Sequence, residues 1–515
     1  MTKTIEELFQ LKAVEIIKLE PTDHLVKAIW VHQHKLDTNG NLLRIKSRLC
    51  PQGFRYRPHI DFDPDNIASY APHVQTINIG LMFEVQRNMY TTHLDVENCF
   101  QAHCDLPPGS RILIKTPDGF NVPHGSAIRL VNALQGSPQS GRIWQEHADN
   151  FLLTDLNFRQ SSIDPAYYFR WDGECYSQII RATDDFRVSS DKDAVRADIV
   201  SQLMSKWKMS VQVGKTWNGM AINHDRKTGI LQISMKRDIE NMLNDFGMKD
   251  CKPDSVPAVP GSKLRKPGDK FTSPDNEEAL SFPYREAVGG LLWFARTGRP
   301  DILNAVSQVS RFSHQWDCTH VTAVKKIMRY LKGTMDLTLT FRKTPLSLQL
   351  LIYGDADFAG EPEENDLAMR STSAFVAFIR GIGAFTAFCG LEKTLSHSTA
   401  ESEYTVISRI GKFSSGITQM FDEIGHTFPG PTVVYSDNQA AIAIAITPFC
   451  TSAMRHMKIK HHYIKKEVKD GKFIIKFCRT EDMIADMLTK ALPRPLFEDL
   501  RDMLLNGLDK DGNTI

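Results

Sequence analysis

The chain has few cysteines, and they lack the spacing of a disulfide framework or a zinc site. Nine cysteines are scattered over 515 residues, and no two of them form a Cys-x-x-Cys pair. An odd, scattered set of thiols favours a reducing compartment and argues against structural zinc. We therefore expect an intracellular location, in the cytoplasm or alternatively in the nucleus.

The sequence also lacks long apolar runs. The nearest is the short segment Ala440–Ile446, far below the roughly 20 residues that a membrane-spanning helix needs. The amphipathic stretch Met1–Leu19 does not contain the apolar core of a secretory signal peptide. We expect a soluble protein with no membrane partner.

An excess of one charge is the third missing feature. Lys and Arg together number 62, and Asp and Glu together number 61. Net charge therefore does not indicate a nucleic-acid partner, which local basic patches would have to bind. The densest patches are Arg455–Lys466 and Lys325–Lys332, and each by itself is typical of a solvated helix face.

The length of the chain and its proline distribution predict several domains. A chain of 515 residues is too long for one core and predicts about three or four domains. Five prolines lie between Lys252 and Ser281 among polar residues, which is typical of a linker. After this linker, apolar residues at intervals of three and four predict helices, and a further β/α segment begins near Ser347. The predicted helices are Tyr284–Arg296, Asp301–Phe312 and His320–Leu331.

Two adjacent carboxylates, Asp184 and Asp185, lie between short runs that are typical of the two strands of a hairpin. Neighbouring ionised carboxylates repel each other, so a bound cation is one reason to place them together. The pair alone is more typical of a solvated turn than of a metal site. Asp95 lies near the end of another short strand, a common place for a metal ligand in sheet-based enzymes, and Phe100 follows five residues on.

A further hairpin is predicted over Val26–Phe54, with its turn near Asp37–Gly40. On its return strand Arg44, Lys46 and Arg48 recur with a period of two, so they share one face of the strand. Three cations in a row can bind a triphosphate or a nucleic-acid backbone. A charged edge strand that is protected from pairing is an equally good interpretation.

Acidic residues also follow the strand and helix patterns of the last third of the chain. Asp355 closes the apolar run Leu348–Tyr353, and Asp437 ends a second predicted strand. Glu403 lies in the first turn of a helix predicted over Thr399–Ile424 and shares a buried stripe with its apolar residues. Another helix, starting near Thr480, carries Asp486. Four such carboxylates can bind two divalent ions, although each alone is typical of a solvated acid or a helix cap.

Short motifs in collinear order link these residues to a known family, from about Leu25 to Asp499. They are Lys46-Ser47-Arg48-Leu49 with Gly53-Phe54, Leu94-Asp95-Val96 through Phe100, Ala133-Leu134-Gln135-Gly136 with Trp144, Asp184-Asp185, Phe246-Gly247-Met248 with Cys251-Lys252-Pro253, Arg299-Pro300-Asp301, Tyr330-Leu331-Lys332-Gly333-Thr334, Asp355-Ala356-Asp357-Phe358-Ala359-Gly360, Ser398-Thr399-Ala400-Glu401-Ser402-Glu403-Tyr404, Ser436-Asp437-Asn438-Gln439 and Ala485-Asp486-Met487-Leu488-Thr489-Lys490. With these motifs the chain resembles the reverse transcriptase and ribonuclease H region of a copia-type LTR retrotransposon polyprotein.

The resemblance implies a multidomain α+β and α/β fold. A right-hand polymerase with fingers, palm and thumb would be followed by a helical connection and an RNase H-like α/β domain. We predict fingers and palm with the start of the thumb over 1–250, the proline-rich linker over 251–281 and the helical thumb or connection over 282–345. The RNase H-like domain would cover 346–495, and a C-terminal tail 496–515.

In the polymerase part, the resemblance implies that Asp95, Asp184 and Asp185 bind two Mg²⁺ ions, with Mn²⁺ as an alternative. These ions would activate the primer 3′-hydroxyl and stabilise the departing pyrophosphate. Lys46 and Arg48 match the cations that bind the incoming deoxynucleoside triphosphate. Phe100 matches the bulky residue that excludes a ribose 2′-hydroxyl. The implied partners are an RNA template, a DNA primer and deoxynucleoside triphosphates.

In the second part, the four carboxylates Asp355, Glu403, Asp437 and Asp486 match those of RNase H. They would bind two further Mg²⁺ ions and cut the RNA strand of an RNA–DNA hybrid. Glu401 is a rival of Glu403, but the buried stripe of the helix favours Glu403. The histidines at positions 456, 461 and 462 could lie over this site or form a solvated face, and the solvated face is favoured.

The chain departs from the family pattern around its Asp pair. Ala182 and Thr183 stand where the family has Tyr and an aliphatic residue, and Arg181 and Arg187 occupy strand positions that are normally apolar. Buried cations are costly unless they pair with a carboxylate or reach water.

These departures leave three functions open. They are an RNA-directed DNA polymerase with RNase H activity, a remnant that only binds nucleic acid, and a protein that retains RNase H activity alone. Met1 lies within what would be the polymerase's N-terminal region, with no integrase, protease or capsid segment. We therefore expect a processed or truncated product, or a decaying genomic copy.

Overall fold

A computed structural model describes residues 1–36, 42–212, 216–267, 274–360, 369–447 and 458–515 of the chain. These residues form two compact units. The N-terminal unit contains Met1–Pro72, Thr91–Gln160 and Asp164–Val213, and the C-terminal unit contains His73–Tyr90, Ser161–Ile163 and Gly214–Ile515. This division into two units is coarser than the predicted domain organisation, whose boundaries stay a prediction.

The strands, in chain order, have the following bounds. They are β1 (Val14–Lys18), β2 (Leu25–Val26), β3 (Ala28–Leu36), β4 (Leu42–Pro51), β5 (Tyr90–Val96), β6 (Leu113–Ile114), β7 (Ser126–Leu130), β8 (Arg159–Gln160), β9 (Tyr167–Asp172), β10 (Cys175–Ala182), β11 (Asp185–Ser190), β12 (Met209–Val211), β13 (Thr216–Trp217), β14 (Met220–Asp225), β15 (Ile230–Ser234), β16 (Thr338–Arg342), β17 (Leu350–Asp357), β18 (Thr372–Ile379), β19 (Gly383–Leu391), β20 (Thr432–Ser436) and β21 (Phe473–Phe477).

The α-helices have the following bounds. They are α1 (Thr2–Gln10), α2 (Val74–Gln86), α3 (Cys99–His103), α4 (Ser140–Asn150), α5 (Asp193–Lys206), α6 (Lys236–Asp245), α7 (Pro274–Ser281), α8 (Tyr284–Thr297), α9 (Leu303–Ser310), α10 (Cys318–Gly333), α11 (Thr399–Glu423), α12 (Gln439–Ile446), α13 (Lys458–Lys469), α14 (Asp486–Thr489) and α15 (Arg494–Asn506). In the part of the chain that the structure describes, no helix is long and apolar enough to cross a membrane.

A six-stranded sheet forms the centre of the N-terminal unit, with the strand order β12-β5-β11-β10-β9-β8. Helices α4 and α5 contribute Trp144 and Ile199 to a core that also contains Phe186 and Val188 of β11. Trp144 contacts the ring of Trp207 edge-on at 5.3 Å between ring centroids. The sheet therefore has an apolar, helix-covered face that fixes the β10–β11 hairpin.

The predicted N-terminal hairpin is present as the antiparallel pair β3 and β4. Its register places Gln33 opposite Lys46 and Val31 opposite Arg48, so Lys46 and Arg48 share one face as the period of two predicts. The predicted turn near Asp37–Gly40 lies outside the described residues.

A five-stranded sheet in the C-terminal unit has the order β19-β18-β17-β20-β21. The first three strands are antiparallel neighbours, whereas β20 and β21 run parallel to β17. Helix α11 packs on this sheet with its predicted apolar stripe buried, including Ile407 and Ile410. The predicted multidomain α+β and α/β fold class is confirmed.

Several elements of the C-terminal unit differ from the sequence-based expectation. The helix predicted from Asp301 starts as a 3-10 turn over Pro300–Ile302, where proline suits the first position of a helix. Part of the predicted linker is helical in α7, and 268–273 lie outside the described residues. Helix α15 begins at Arg494, two residues before the predicted tail, and its Leu500 and Leu504 are buried in the core of the unit.

Helix α2 belongs to the C-terminal unit although it lies early in the chain. The Asn78 amide donates to the backbone oxygen of Phe385 at 2.9 Å. The ring of Phe83 stacks on His426 at 4.6 Å between ring centroids and also contacts Phe421. These long-range contacts account for the burial of α2 on all sides from Thr76 to Val85.

Candidate functional site

The three acidic side chains predicted for the polymerase site lie together in the N-terminal unit. Asp95, Asp184 and Asp185 each offer a carboxylate oxygen within 4.8 Å of the others. Asp95 is the penultimate residue of β5, and the Asp pair lies at the turn between β10 and β11, which neighbours β5 in the sheet. We call these three residues the first carboxylate group.

The turn that carries the Asp pair is short and strained. Ala182 pairs with Asp185, so Thr183 and Asp184 are the only two residues of the turn. Thr183 has a φ of 59°, in the left-handed region that is unfavourable for a β-branched residue. Two hydrogen bonds hold this conformation: Trp144 Nε1 donates to the Thr183 oxygen at 2.7 Å, and the Val96 amide donates to the Asp184 oxygen at 3.0 Å.

Burial raises the pKa of two members of the first carboxylate group, Asp184 and Asp185. Burial raises the pKa of Asp184, and the nearby cations Lys46 and Arg48 partly oppose this effect. Burial, followed by the charges of Asp184 and Asp95, raises the pKa of Asp185 to about 6. A divalent cation would relieve this repulsion, and three carboxylates are the hard oxygen ligands that Mg²⁺ prefers.

The predicted substrate-binding residues lie in the same unit. Lys46 and Arg48 of β4 are half-buried and close enough to lower the pKa of Asp184, and the Arg48 guanidinium also donates to Gln33 Oε1 at 3.2 Å. The side chain of Arg44 lies outside the described residues. Phe100, in α3, is half-buried and packs against the core of the N-terminal unit.

The two unexpected arginines are buried, and the structure provides a partner for each. Arg181 is 1% exposed, and its guanidinium forms an ion pair with Asp149 Oδ1 of α4 at 3.1 Å. It also donates to the Tyr168 hydroxyl at 3.1 Å. Arg187 is 2% exposed and contacts His93 Nε2. The departure at Arg181 therefore does not leave an uncompensated buried charge.

Three of the four acids predicted for the second site also lie together, in the C-terminal unit. Asp355, Glu403 and Asp437 each offer an oxygen within 4.8 Å of the others, and we call them the second carboxylate group. The parallel register aligns Tyr353 of β17 with Tyr435 of β20, which brings the residues two positions further on side by side. Asp355 lies inside β17, which extends to Asp357, and does not close the strand as predicted.

Glu403 enters the second carboxylate group from the first turns of α11. It is 3% exposed, and its Oε1 accepts the backbone amide of Ala356 at 3.1 Å. Its Oε2 is buried and has no hydrogen-bond donor among the described residues. Burial and the charge of Asp355 raise the pKa of Glu403. The rival Glu401 instead accepts the amide of His397 at 2.7 Å, near the helix N-terminus.

The fourth predicted acid, Asp486, is placed differently from the expectation. The helix predicted from Thr480 is a 3-10 turn over Thr480–Asp482, and the short helix α14 begins at Asp486. Asp486 is not within the mutual distance that defines the second carboxylate group in the described chain. Its carboxylate instead pairs with Lys490 Nζ at 2.7 Å. Burial and the charge of Asp355 raise the pKa of Asp486.

Sequence reasoning missed Asp149 and Lys490. Asp149 pairs with a residue 32 positions away, and no local pattern indicates such a contact. Lys490 stands four residues after Asp486, the spacing of an intrahelical ion pair, and this signal was available.

Only part of the predicted basic and histidine-rich segments can be placed. Arg455 and His456 lie outside the described residues, as do the side chains of His461 and His462. In the Lys325–Lys332 patch, Lys326 pairs with Asp254 at 2.6 Å.

Comparison with known sequences gives a family match for about half of the chain and similar proteins for nearly all of it. Residues 12–260 match the family described as reverse transcriptase (RNA-dependent DNA polymerase). The chain is 30% identical over 509 residues to the retrovirus-related Pol polyprotein from transposon TNT 1-94 of Nicotiana tabacum, covering 98% of this chain and 37% of that protein. It is 28% identical to the Pol polyprotein from transposon RE1 of Arabidopsis thaliana, covering 93% of this chain and 32% of that protein.

Solved structures are more distant. A foamy viral protease-reverse transcriptase dRH in complex with double-stranded DNA has a TM-score of 0.49 at 10% sequence identity, covering 93% of this chain and 69% of that chain.

The chain spans about a third of the length of the plant polyproteins that it matches. The match covers nearly all of this chain, and its first half also matches the reverse transcriptase family. The chain is thus similar over nearly its whole length to the Pol polyproteins of copia-type retrotransposons, and its residues 12–260 match the reverse transcriptase family.

Proposed function

We propose that the chain is an RNA-directed DNA polymerase whose chemistry takes place at the first carboxylate group. The observation that supports this most strongly is the meeting of Asp95, Asp184 and Asp185 within 4.8 Å inside the matched reverse transcriptase region. Two Mg²⁺ ions bound there, or Mn²⁺ as an alternative, would supply Lewis-acid activation of a 3′-hydroxyl and charge neutralisation at pyrophosphate. The three carboxylates would hold them.

Other residues of the N-terminal unit would position the nucleotide. Lys46 and Arg48 share one face of β4 and would pair with the negative charges of a triphosphate. Phe100 would exclude the 2′-hydroxyl of a ribonucleotide. The proposed partners are an RNA template, a DNA primer and deoxynucleoside triphosphates, in the cytoplasm or the nucleus.

Mg²⁺-dependent primer extension tests this proposal. We expect the purified chain to extend a DNA primer on an RNA template, and Asp95→Asn to abolish extension because it removes one metal ligand. Asp172→Asn is the matched control, since Asp172 is a half-exposed acid at the end of β9 in the same sheet. Absence of extension by the unaltered chain at all template and Mg²⁺ concentrations would sink the proposal.

We infer a second activity, ribonuclease H, at the second carboxylate group. The buried and unpartnered Oε2 of Glu403 favours it, because a buried carboxylate oxygen without a donor is costly unless a cation binds it. Asp355, Glu403 and Asp437 would hold Mg²⁺, and Asp486 would complete the set of four acids. The substrate would be the RNA strand of an RNA–DNA hybrid.

Cleavage of a labelled hybrid tests this activity independently of polymerisation. We expect cleavage that disappears in Asp437→Asn and persists in Asp422→Asn, a change at an exposed acid near the end of α11. Cleavage without extension would support RNase H activity alone. Salt-sensitive binding with neither reaction would instead support a remnant that only binds nucleic acid.

We also propose the finer domain organisation given by the sequence. Fingers, palm and the start of the thumb would occupy 1–250, the linker 251–281, the thumb or connection 282–345, the RNase H-like domain 346–495 and the tail 496–515.

A further inference from the structure

Lys490 lies at the edge of the second carboxylate group, between Asp355 of that group and Asp486 beside it. Its Nζ is 2.7 Å from Asp486 Oδ1 and 3.5 Å from Asp355 Oδ2. Both carboxylates are almost fully buried, with exposures of 3% and 1%, whereas the lysine side chain is 38% exposed. The ammonium therefore lies where two buried carboxylates meet the solvent.

The backbone holds Lys490 in this position. One helical turn separates it from Asp486, and its amide donates to the Asp486 backbone oxygen at 3.0 Å. The preceding residue, Thr489, is fully buried, and its hydroxyl donates to Asp355 Oδ2. The segment from Asp486 to Lys490 is thus attached directly to β17, which keeps the lysine beside both carboxylates.

The two sides of the site are unequal in their hydrogen bonding. On the Asp486 side, Asp355 Oδ2 and Asp486 Oδ1 are engaged by the donors of Thr489 and Lys490. On the Glu403 side, Oε2 of that residue has no donor among the described residues. An ammonium within hydrogen-bond distance of the oxygens on the Asp486 side repels a divalent ion that approaches the same oxygens.

We propose that Lys490 is a positioning residue that acts as a tethered cation and takes the place of a second divalent ion between Asp355 and Asp486. One divalent ion then binds tightly, at Asp355, Glu403 and Asp437, and a second ion binds only by displacing Lys490. This inference rests on the proposed metal site, and it concerns the order and affinity of the two ions. It assigns a role to a residue that is not itself a metal ligand.

Mn²⁺ binding to the full-length chain, followed by the electron paramagnetic resonance signal of free Mn²⁺, tests this role. All variants carry Asp185→Asn to weaken the first carboxylate group. We expect Lys490→Ala to bind the second Mn²⁺ at least about tenfold more tightly than the parent, because a competing positive charge near 3–4 Å has been removed. Lys490→Arg keeps the charge and should bind Mn²⁺ as the parent does.

Lys263→Ala is the matched control. Lys263 pairs with Asp357 at 2.6 Å, and Asp357 lies on the same strand two residues after Asp355 but outside the second carboxylate group. We expect this variant to leave Mn²⁺ binding unchanged. An equal gain in Lys263→Ala and Lys490→Ala would overturn the proposal, since any loss of nearby positive charge would then suffice.

Thermal unfolding keeps the test decisive if Lys490→Ala folds poorly. In a chelator we expect its melting temperature to fall below that of the parent, and Mn²⁺ to remove most of the difference. Unchanged Mn²⁺ affinity in Lys490→Ala, or a deficit that Mn²⁺ does not reduce, overturns the role of Lys490. Asp437→Asn tests the metal site separately from Lys490. We expect this variant to lose the tight Mn²⁺ site, and tight binding that persists in it would refute the metal site at Asp355, Glu403 and Asp437.

Discussion

At the scale of single residues, Arg181 illustrates how a costly side chain is accommodated. It is almost fully buried beneath α4 and shares Asp149 Oδ1 with the Tyr168 hydroxyl. Breaking a buried ion pair leaves an uncompensated charge, whereas replacing both partners with apolar residues is often neutral. The arginine is therefore compatible with a folded hairpin, provided that its partner is present.

We predict that Asp149→Ala lowers the free energy of unfolding by about 3 kcal/mol, because it leaves the Arg181 guanidinium buried without its carboxylate. Glu146→Ala, on the same helix, removes the partner of Arg142 in an exposed pair at 2.7 Å and should cost less than about 1 kcal/mol. Urea denaturation measures both. Equal losses for the two variants would contradict a special role for the buried pair.

The raised pKa of Asp185 predicts a pH dependence. Its pKa of about 6 lies above the value of about 4 in an unfolded chain, so the folded state prefers the protonated form. Without metal, stability should fall as pH rises from about 4 to above 6. Mg²⁺ binding needs the ionised carboxylates, so Mg²⁺ affinity should rise over the same interval.

Melting temperatures at pH 5 and pH 8, in chelator and in Mg²⁺, check this prediction. Asp185→Asn should remove the part of the pH dependence that belongs to Asp185, whereas Asp172→Asn should keep it. Stabilisation by Mg²⁺ that is as large at pH 5 as at pH 8 would refute the assignment.

At the scale of elements, the turn between β10 and β11 combines strain with a fixed position. A β-branched residue at φ 59° costs of order 1–2 kcal/mol, although glycine there would lose more entropy on folding. We predict that Thr183→Gly raises the free energy of unfolding by about 0.5–1 kcal/mol. Gly173→Ala, in the β9–β10 turn at φ 62° and in open space, should lower it by about 1 kcal/mol. Equilibrium unfolding compares the two turns, and a loss in Thr183→Gly would show that the turn is unstrained.

Close packing of α11 on β17 positions Glu403 beside Asp355. A Cβ added to Gly354 would lie 2.5 Å from Ile410 Cδ1 and 2.9 Å from Val406 Cγ1. We predict that Gly354→Ala costs about 1–3 kcal/mol and reduces hybrid cleavage, because it pushes the helix away from the strand.

Gly416 of helix α11, the helix that packs on Gly354, provides the control for Gly354→Ala. A Cβ at Gly416 would meet nothing within 4 Å, so Gly416→Ala should stabilise the helix by about 1 kcal/mol and leave cleavage intact. Unfolding curves and the cleavage rate of both variants show whether the effect of Gly354→Ala comes from close packing, whereas the effect of Gly416→Ala comes from helix propensity. Undiminished cleavage in Gly354→Ala would show that the close approach is unnecessary.

Element patterns could be predicted from the sequence where they depend on local periodicity. The apolar stripe of α11 selected Glu403 over Glu401, and the run before Asp355 indicated a buried strand. The helix expected from Thr480 was wrong because most of that segment is irregular and is held by long-range contacts such as that of Thr480 with Asp437. No periodicity could show that Asp149 meets Arg181 or that α2 joins the C-terminal unit, since both depend on packing between distant segments.

At the scale of the whole molecule, each carboxylate group lies within a different unit. We predict that the two reactions are separable by mutation: Asp95→Asn abolishes primer extension and keeps hybrid cleavage, and Asp437→Asn has the reverse effect. Extension and cleavage assays on the same protein preparations check this. Loss of both activities in either variant, with the fold intact, would indicate that the reactions share one site.

The fold class and most of the acidic site residues could be predicted from the sequence because the family motifs occur in order along the chain. The residues that contact or support these acids were harder to predict. Lys490 and Thr489 contact predicted acids, and Asp149 pairs with Arg181. Only the spacing of Lys490 from Asp486 was visible in the sequence, because the other two contacts join distant segments.

Mg²⁺-dependent primer extension by the full chain on an RNA template is the most direct measurement of the proposed polymerase centre. We predict extension that requires Mg²⁺, survives Asp172→Asn and disappears in Asp95→Asn. Extension that persists in Asp95→Asn, or none by the unaltered chain, would contradict the assignment of Asp95, Asp184 and Asp185 as the polymerase metal site.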